Sequence, residues 1–292
     1  MKNLNHFFVA FLLAFFVVSC EKEPTVEILP VSKEYKLINV SYGTNERNVM
    51  DVFLPAGRTA DTPLAILIHG GAWISGDKSL MTDLQNTLLS EGIASVSINY
   101  RYVSPSVHCD ELMQDIDRVV QHCMDHSEEW QVRKTNIIIG GHSAGAHLSL
   151  MYGYAYDNRK VISGIISAAG PTNLYDETYL QEVRMIFPLA IIPIQQLANS
   201  VYTPGQSVPE NFRKISPVTR IQQVPTLMVH GTEDELVAYE TVVAFETELN
   251  KKGVTNKLFT ITGADHSFTN ISASMSDNMD REMINWINLY GK

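Results

Sequence analysis

The feature that most constrains this chain is a series of short, wholly apolar runs separated by stretches of helical spacing. Leu64-Ala65-Ile66-Leu67-Ile68 is the clearest, five apolar residues that end abruptly in His69-Gly70-Gly71. A strand apolar on both sides suits a parallel sheet covered on both faces, because an antiparallel sheet with one wet face alternates instead. The pattern then repeats. Helix-like spacing over 79–90 precedes a strand over Ile93–Tyr100. A helix over 110–126 precedes a strand over Asn136–Ile139, and a further helix opens near Ser143. Strands over 161–168, Thr226–His230 and Lys257–Ile261 follow, with helices over 239–251 and 276–289. Such alternation predicts an α/β fold with a mostly parallel central sheet flanked by helices. Two earlier β-like stretches, Tyr35–Ser41 and Asn48–Leu54, are joined around Gly43. The rhythm breaks over 171–217, where six prolines surround the apolar Met185–Ile194. A structureless loop of that length is improbable in a compact domain, so a small helical cap insertion is expected there.

At 292 residues, 45% of them hydrophobic, the chain can bury a large core without disulfides. Its 22 Lys and Arg against 32 Asp and Glu give a net charge of −10, the wrong sign for a phosphate-backbone binder, so no nucleic-acid partner is expected. Cys109 and Cys123 fall on one predicted helix, about 21 Å apart. A bridge tolerates only ~7 Å between α-carbons, so two separate, partly buried thiols are expected. There is no CxxC pattern, and His142 and His147 do not share a helix face; no metal site is expected.

The N-terminus reads as an address. Phe7–Val18 is an unbroken apolar run, too short to span a bilayer but of the length of a secretory signal core, with Lys2 ahead of it. The run ends Val17-Val18-Ser19-Cys20, which resembles a bacterial lipobox. That resemblance implies a signal peptide over 1–19, lipidation of Cys20, and a protein held by acyl chains at the periplasmic face or the cell surface. Residues 20–34 would be a tether and 35–292 the folded domain.

The chemistry points to Gly141-His142-Ser143-Ala144-Gly145, a G-x-S-x-G motif. It follows a predicted strand directly and precedes helix-forming Ala146–Met151. In that context the turn must be tight, the flanking glycines let neighbouring backbones approach, and Ser143 Oγ is lifted out at a helix N-terminus. His69-Gly70-Gly71-Ala72-Trp73 closes the first parallel strand, where small residues leave backbone N–H groups free to hold an oxyanion. The N–H of Ala144 is a further candidate donor. His69 itself is read as structural, and Trp73 as either core or substrate wall.

A nucleophilic serine needs a base and the base needs an acid. His230-Gly231-Thr232-Glu233-Asp234-Glu235-Leu236-Val237 follows one predicted strand, and Gly263-Ala264-Asp265-His266 follows the next. Parallel strands gather their C-terminal ends at one edge, so His266 and one of Glu233, Asp234 or Glu235 are expected beside Ser143. Asp265 is read as a solvated turn residue.

These residues resemble the α/β-hydrolase superfamily, and within it the hormone-sensitive-lipase-like and acetyl or feruloyl esterase group. The match runs from about residue 63 to 289 and rests on His69–Trp73 with Gly76-Asp77-Lys78, Asn99-Tyr100-Arg101, Gly141–Gly145, His230-Gly231 with Asp234, and His266. It implies the α/β-hydrolase fold, with Ser143 as nucleophile, His266 as base and no cofactor. It implies Asp234 as acid, because the family pattern puts that residue three before Val237. It also implies Gly71, Ala72 and Ala144 as oxyanion donors. Ala72 stands where many members have a third glycine. Tyr102-Val103-Ser104-Pro105 replaces the commoner Leu-Ala-Pro-Glu, which favours the polysaccharide-esterase branch. The expected function is hydrolysis of short acyl esters of carbohydrates through an acyl-enzyme. The alternatives are an amidase or formamidase with the same triad, and an inactive glycan-binding homologue.

Overall fold

The computed structural model describes residues 27–186 and 188–292. The expected signal peptide over 1–19 and the Cys20 lipidation site lie outside the described residues. No helix among those described is long and apolar enough to cross a membrane.

Eight strands form one sheet. They are β1 (Tyr35–Ser41), β2 (Val49–Leu54), β3 (Leu64–Ile68), β4 (Ala94–Ile98), β5 (Ile137–His142), β6 (Ile162–Ala168), β7 (Thr226–Gly231) and β8 (Asn256–Ile261). Their order across the sheet is β1-β2-β4-β3-β5-β6-β7-β8. β1 pairs antiparallel with β2 and β2 with β4; every pairing from β4 to β8 is parallel.

Helices cover both faces. They are α1 (Thr82–Ser90), α2 (Cys109–Asp125), the single turn α3 (Ser127–Trp130), α4 (Ala144–Met151), α5 (Glu177–Ile186), α6 (Ile191–Ala198), α7 (Glu210–Lys214), α8 (Tyr239–Lys251) and α9 (Ala273–Tyr290). Alternation along the strands divides the core. Leu64, Ile66 and Ile68 of β3 pack with Leu112 and Ile116 of α2 and Leu148 of α4. Ala65 and Leu67 pack with Leu88 of α1 and with Met283, Trp286 and Ile287 of α9. That double burial is why the strands lack a polar face. Cys109 and Cys123 are both buried and free.

Between β6 and β7 the chain builds α5, α6 and α7. This segment carries Met185, Leu189 and Val201 exposed on its surface. The expected tether is described from residue 27 onward, and this part lies against the domain. Arg58, buried between, donates to the carbonyls of Leu29, Pro30 and Lys33 and to Trp130 O at 2.7 Å.

A buried ion pair ties β2 to the loop after β3. Lys78 Nζ lies 2.8 Å from the Asp51 carboxylate, each side chain 8% exposed, and Asp51 also accepts from Asn39 N at 2.8 Å. Removing one partner strands a buried charge. Lys78→Met is therefore expected to lose about 3–5 kcal/mol in urea denaturation. Combining it with Asp51→Asn, which keeps an acceptor for Asn39 but no charge, should recover a large part of that loss.

Candidate active site

Ser143 occupies the turn from β5 into α4 with φ 54° and ψ −120°, a left-handed conformation that a residue with a side chain adopts only under compulsion. The compulsion is steric and directional. A Cβ on Gly141 would stand 2.4 Å from Ile68 O, so the backbone is packed hard onto β3. Ser143 N donates to Ala168 O on β6 at 2.8 Å, and Ser143 O accepts from His147 N at 3.0 Å as the helix begins. The hydroxyl is left at the C-terminal edge of the sheet.

His266 and Asp234 reach the same edge from the loops after β8 and β7. His266 Nε2 lies 2.8 Å from Ser143 Oγ, and His266 Nδ1 lies 2.9 Å from both Asp234 oxygens. An ionised carboxylate only accepts, so Nδ1 carries the proton and Nε2 presents its lone pair to the hydroxyl. Asp234 Oδ1 also accepts from Leu236 N at 3.0 Å and Val237 N at 2.8 Å. His230 Nε2 lies 3.1 Å from Asp234 Oδ2 and 2.8 Å from Val237 O. Burial alone would raise the Asp234 carboxyl, but donors from His230, His266 and Val237 N–H outweigh it and hold the group well below the usual carboxylate range. Glu233 and Glu235 are exposed and Asp234 is buried, so among the three rivals only Asp234 faces the imidazole. Asp265 is partly exposed and closes its own turn by accepting from Thr269 N at 2.9 Å.

The loop after β3 carries the candidate oxyanion donors. Gly71, Ala72 and Trp73 all have positive φ, at 116°, 49° and 61°. The Gly71 carbonyl accepts from Ile74 N at 3.1 Å and Ser75 N at 3.0 Å, which turns the peptide away from the cleft. The N–H groups of Gly71, Ala72 and Ala144 donate to no partner among the described residues. Behind them, Arg47 Nε donates to Tyr100 O at 2.7 Å and Arg47 Nη2 to Gly76 O at 3.2 Å. Asn99 Nδ2 donates to Asp77 at 2.8 Å while Asn99 Oδ1 accepts from Lys78 N at 2.7 Å. His69 is wholly buried, stacked on Tyr100 at 4.5 Å, and burial pulls its imidazole down to about 4. It supports the loop and is neutral at physiological pH.

The structure decides against Trp73 as a substrate wall. Its consecutive left-handed neighbours turn the indole inward, where it is 4% exposed and edge-on to His147 at 5.2 Å, and it does not line the cleft. Two further residues were not singled out for a role at the site. His142, inside the G-x-S-x-G motif, donates from Nε2 to His266 O at 2.8 Å and so pins the loop that carries the imidazole. Burial lowers its pKa and keeps it neutral. His230 does the same for Asp234 from below. In sequence, the only signal for either is a histidine at the end of a strand that leads into a site residue.

The cleft over Ser143 has a volume of about 680 Å³. A second depression of about 820 Å³, formed by residues of α2 with Tyr156 and Arg159, shares no residue with it.

The geometry can be set beside known proteins. A family model, BD-FAE, matches residues 50–249, which includes Ser143 and Asp234 and stops short of His266. A probable carboxylic ester hydrolase of Mycobacterium tuberculosis is 27% identical over 226 residues, 73% of this chain and 51% of that protein. A kynurenine formamidase of Salmo salar is 29% identical over 180 residues, 60% of this chain and 57% of the relative. This chain thus spans about half the length of the curated relatives it matches. Among solved structures, a truncated carbohydrate esterase from gut microbiota superposes with a TM-score of 0.70 at 18% identity, covering 90% of this chain and 99% of that one. Esterase B from Lactobacillus rhamnosis gives a TM-score of 0.70 at 17% identity, with coverage of 90% and 89%. At those identities the structures speak to the fold, which is that of the α/β-hydrolases. With two thirds of its length matched by the family model, the chain belongs to the BD-FAE family.

Proposed function

We propose that this protein is a serine carboxylic-ester hydrolase acting through an acyl-enzyme on short acyl esters of carbohydrates, acetyl or feruloyl. One observation carries the reading: the unbroken chain of hydrogen bonds from Ser143 Oγ through the His266 ring to Asp234. As Oγ bonds to the acyl carbon, its proton passes to His266 Nε2. Asp234, held ionised by its four donors, fixes the imidazole tautomer and stabilises the cation without taking the proton. The negative oxygen of the tetrahedral intermediate lies on the N–H groups of Gly71, Ala72 and Ala144. His266 returns the proton to the departing alkoxide as the ester bond breaks. Water then repeats the sequence on the acyl-Ser143 ester and releases the acid.

Three further elements belong to this proposal. Cleavage before Cys20 and its lipidation, suggested by the Val17–Cys20 pattern, would hold the protein to a bacterial membrane at the periplasmic face or the cell surface. The helices between β6 and β7 serve as a cap over the sheet edge. The sequence signs for a cofactor or metal are lacking, and none enters the scheme. An amidase reading has one specific support, the similarity to a kynurenine formamidase. Parallel rates on acetyl esters and formyl amides decide between the two.

Ser143→Ala should reduce hydrolysis of an aryl acetate by about 10⁴-fold or more, with an unchanged melting temperature. A fluorophosphonate should label Ser143 in the folded protein, read as a mass shift on that peptide. A folded, unlabelled protein would overturn the hydrolase reading in favour of a binding role. Asp234→Asn should cost about 10⁴-fold in kcat by leaving the wrong imidazole tautomer. It should also change acid denaturation. A carboxyl whose folded pKa is depressed contributes stability above its unfolded pKa, about 3.9, and that stability is lost as pH falls toward the folded value. The variant's stability should therefore fall less steeply than the parent's below about pH 4. His142→Ala, which frees the His266 loop, should lower kcat by roughly tenfold with little change in KM, given the modest worth of one hydrogen bond.

A further inference from the structure

His147 joins three parts of the molecule that the sequence keeps apart. It lies one turn into α4 from Ser143 and is wholly buried. Its Nε2 lies 2.8 Å from the carbonyl of Ile215, the residue just past α7. A carbonyl only accepts, so Nε2 carries the proton and Nδ1 is left as a lone pair. Burial pulls this imidazole down to about 4, which keeps it neutral at physiological pH. The same ring meets Trp73, nearly perpendicular to it, with centroids 5.2 Å apart.

Both neighbours bear on the site. Ile215 lies where the segment between β6 and β7 closes. Val218 N donates to Thr172 O at 3.0 Å, which brings the two ends of that segment together, and the buried Ser216 Oγ donates to Phe212 O at 2.8 Å. Trp73 follows Ala72, whose N–H is a candidate oxyanion donor. Ala72 and Trp73 have φ of 49° and 61°, and such a pair persists only where its surroundings hold it. Val103 N donates to Trp73 O at 2.9 Å and restrains the backbone, while the indole lies in the core against His147. The two rings are matched in chemistry as well. Trp73 Nε1 is a buried donor without an acceptor among the described residues, and His147 Nδ1 is a buried acceptor without a donor. A phenyl and an alkyl side chain would carry neither burden. An imidazole turns readily about its last torsion, so the bond to Ile215 decides which edge of the ring Trp73 meets.

We propose that His147 is a positioning residue. Fixed by Ile215 O, its imidazole sets the indole of Trp73, and the indole sets the angle of the Ala72 N–H that receives the oxyanion. The segment between β6 and β7 thereby governs turnover through the loop after β3, and His147 does so without touching the substrate. This inference rests on the ester-hydrolase reading above and adds a control on the same site.

The test measures hydrolysis of an aryl acetate by the unsubstituted protein, His147→Gln, His147→Leu, Trp73→Phe and the double variant His147→Leu with Trp73→Phe. Rates are referred to the fraction of each protein that a fluorophosphonate labels at Ser143 on completion, which removes losses through misfolding. His147→Leu should lower kcat by roughly tenfold, the scale of one buried hydrogen bond, with KM within about twofold. The split is expected because an oxyanion donor acts on the transition state and not on the bound ester. Glutamine places an amide N–H near the position of Nε2 and should restore most of the loss. Trp73→Phe should lower kcat by about fivefold. In the double variant the two losses should not multiply, as befits residues that act as a unit. A near-parental kcat in His147→Leu or in Trp73→Phe overturns the assignment. So do a loss confined to KM, a glutamine variant no better than the leucine one, and losses that multiply. Should His147→Leu yield no folded protein, the other single variants decide. A kcat loss in Trp73→Phe beside near-parental turnover in His147→Gln supports the assignment, and any other combination overturns it. A folded, unsubstituted protein with neither turnover nor label overturns the hydrolase reading itself, a separate and visible result.

Discussion

The start of α4 is pressed against the end of β3 more closely than any side chain would allow. A Cβ on Gly145 would stand 2.1 Å from Ile68 O and 2.6 Å from His69 O, well inside van der Waals contact. That contact fixes the angle at which the helix leaves the sheet, and with it the left-handed turn at Ser143. It also sets the spacing between α4 and the loop after β3, since His69 and Gly70 begin that loop. Two elements far apart in sequence are thereby brought to one distance, with the Ala144 N–H on one side and those of Gly71 and Ala72 on the other. Parallel pairing then does the rest. β5, β6, β7 and β8 run in the same direction, so the loops bearing Asp234 and His266 have nowhere to emerge but beside the serine.

Backbone contact alone would not hold three successive left-handed residues at 71–73. The polar groups behind them supply the restraint. Arg47 lies over the Tyr102 ring at 3.8 Å while its guanidinium donates to Tyr100 O and Gly76 O. Tyr102 OH donates to Gly76 O as well. Asp77, with burial opposing, is held down to about 2 by Ser79, Asn99 and Lys78. This gives a physical meaning to the Gly76-Asp77-Lys78 and Asn99-Tyr100-Arg101 motifs. They form the mount on which the loop after β3 is set, at one remove from the cleft. Buried polar groups raise specificity for one arrangement only when each is satisfied, and here the network leaves the three outward N–H groups free.

Much of this was legible from the chain alone, for identifiable reasons. Runs such as Leu64–Ile68 disclose a doubly covered strand because both faces must be apolar, and mostly parallel pairing follows from the helices between them. Ser143 and His266 are readable because their motifs follow strands directly. Selecting Asp234 over Glu233 and Glu235 needed a family pattern, since all three sit on one turn and only three-dimensional aim separates them. Trp73 was not legible: its direction depends on the positive φ of Ala72 and of Trp73 itself, and nothing in the residue types announces such a pair. The docking of residues 27–34 was hidden for a similar reason. It depends on one buried arginine, Arg58, meeting carbonyls that any sequence would offer. His142 and His230 stand inside motifs legible in the sequence, but their supporting roles are not, because each acts on a neighbour's backbone or carboxylate, a relation without a spacing rule.

Two aspartates on this side of the molecule show how environment divides one chemistry into two. Asp234 is enclosed, yet His230, His266 and two backbone N–H groups surround it, and the balance lies on the side of the anion. It holds charge where the proposed mechanism needs it. Asp280 is less deeply placed but stands among Met279, Met283 and Leu84, with no protein donor among the described residues and with Asp277 as a like-charged neighbour. There burial and Asp277 both push the carboxyl upward, so the same chemistry leans the other way.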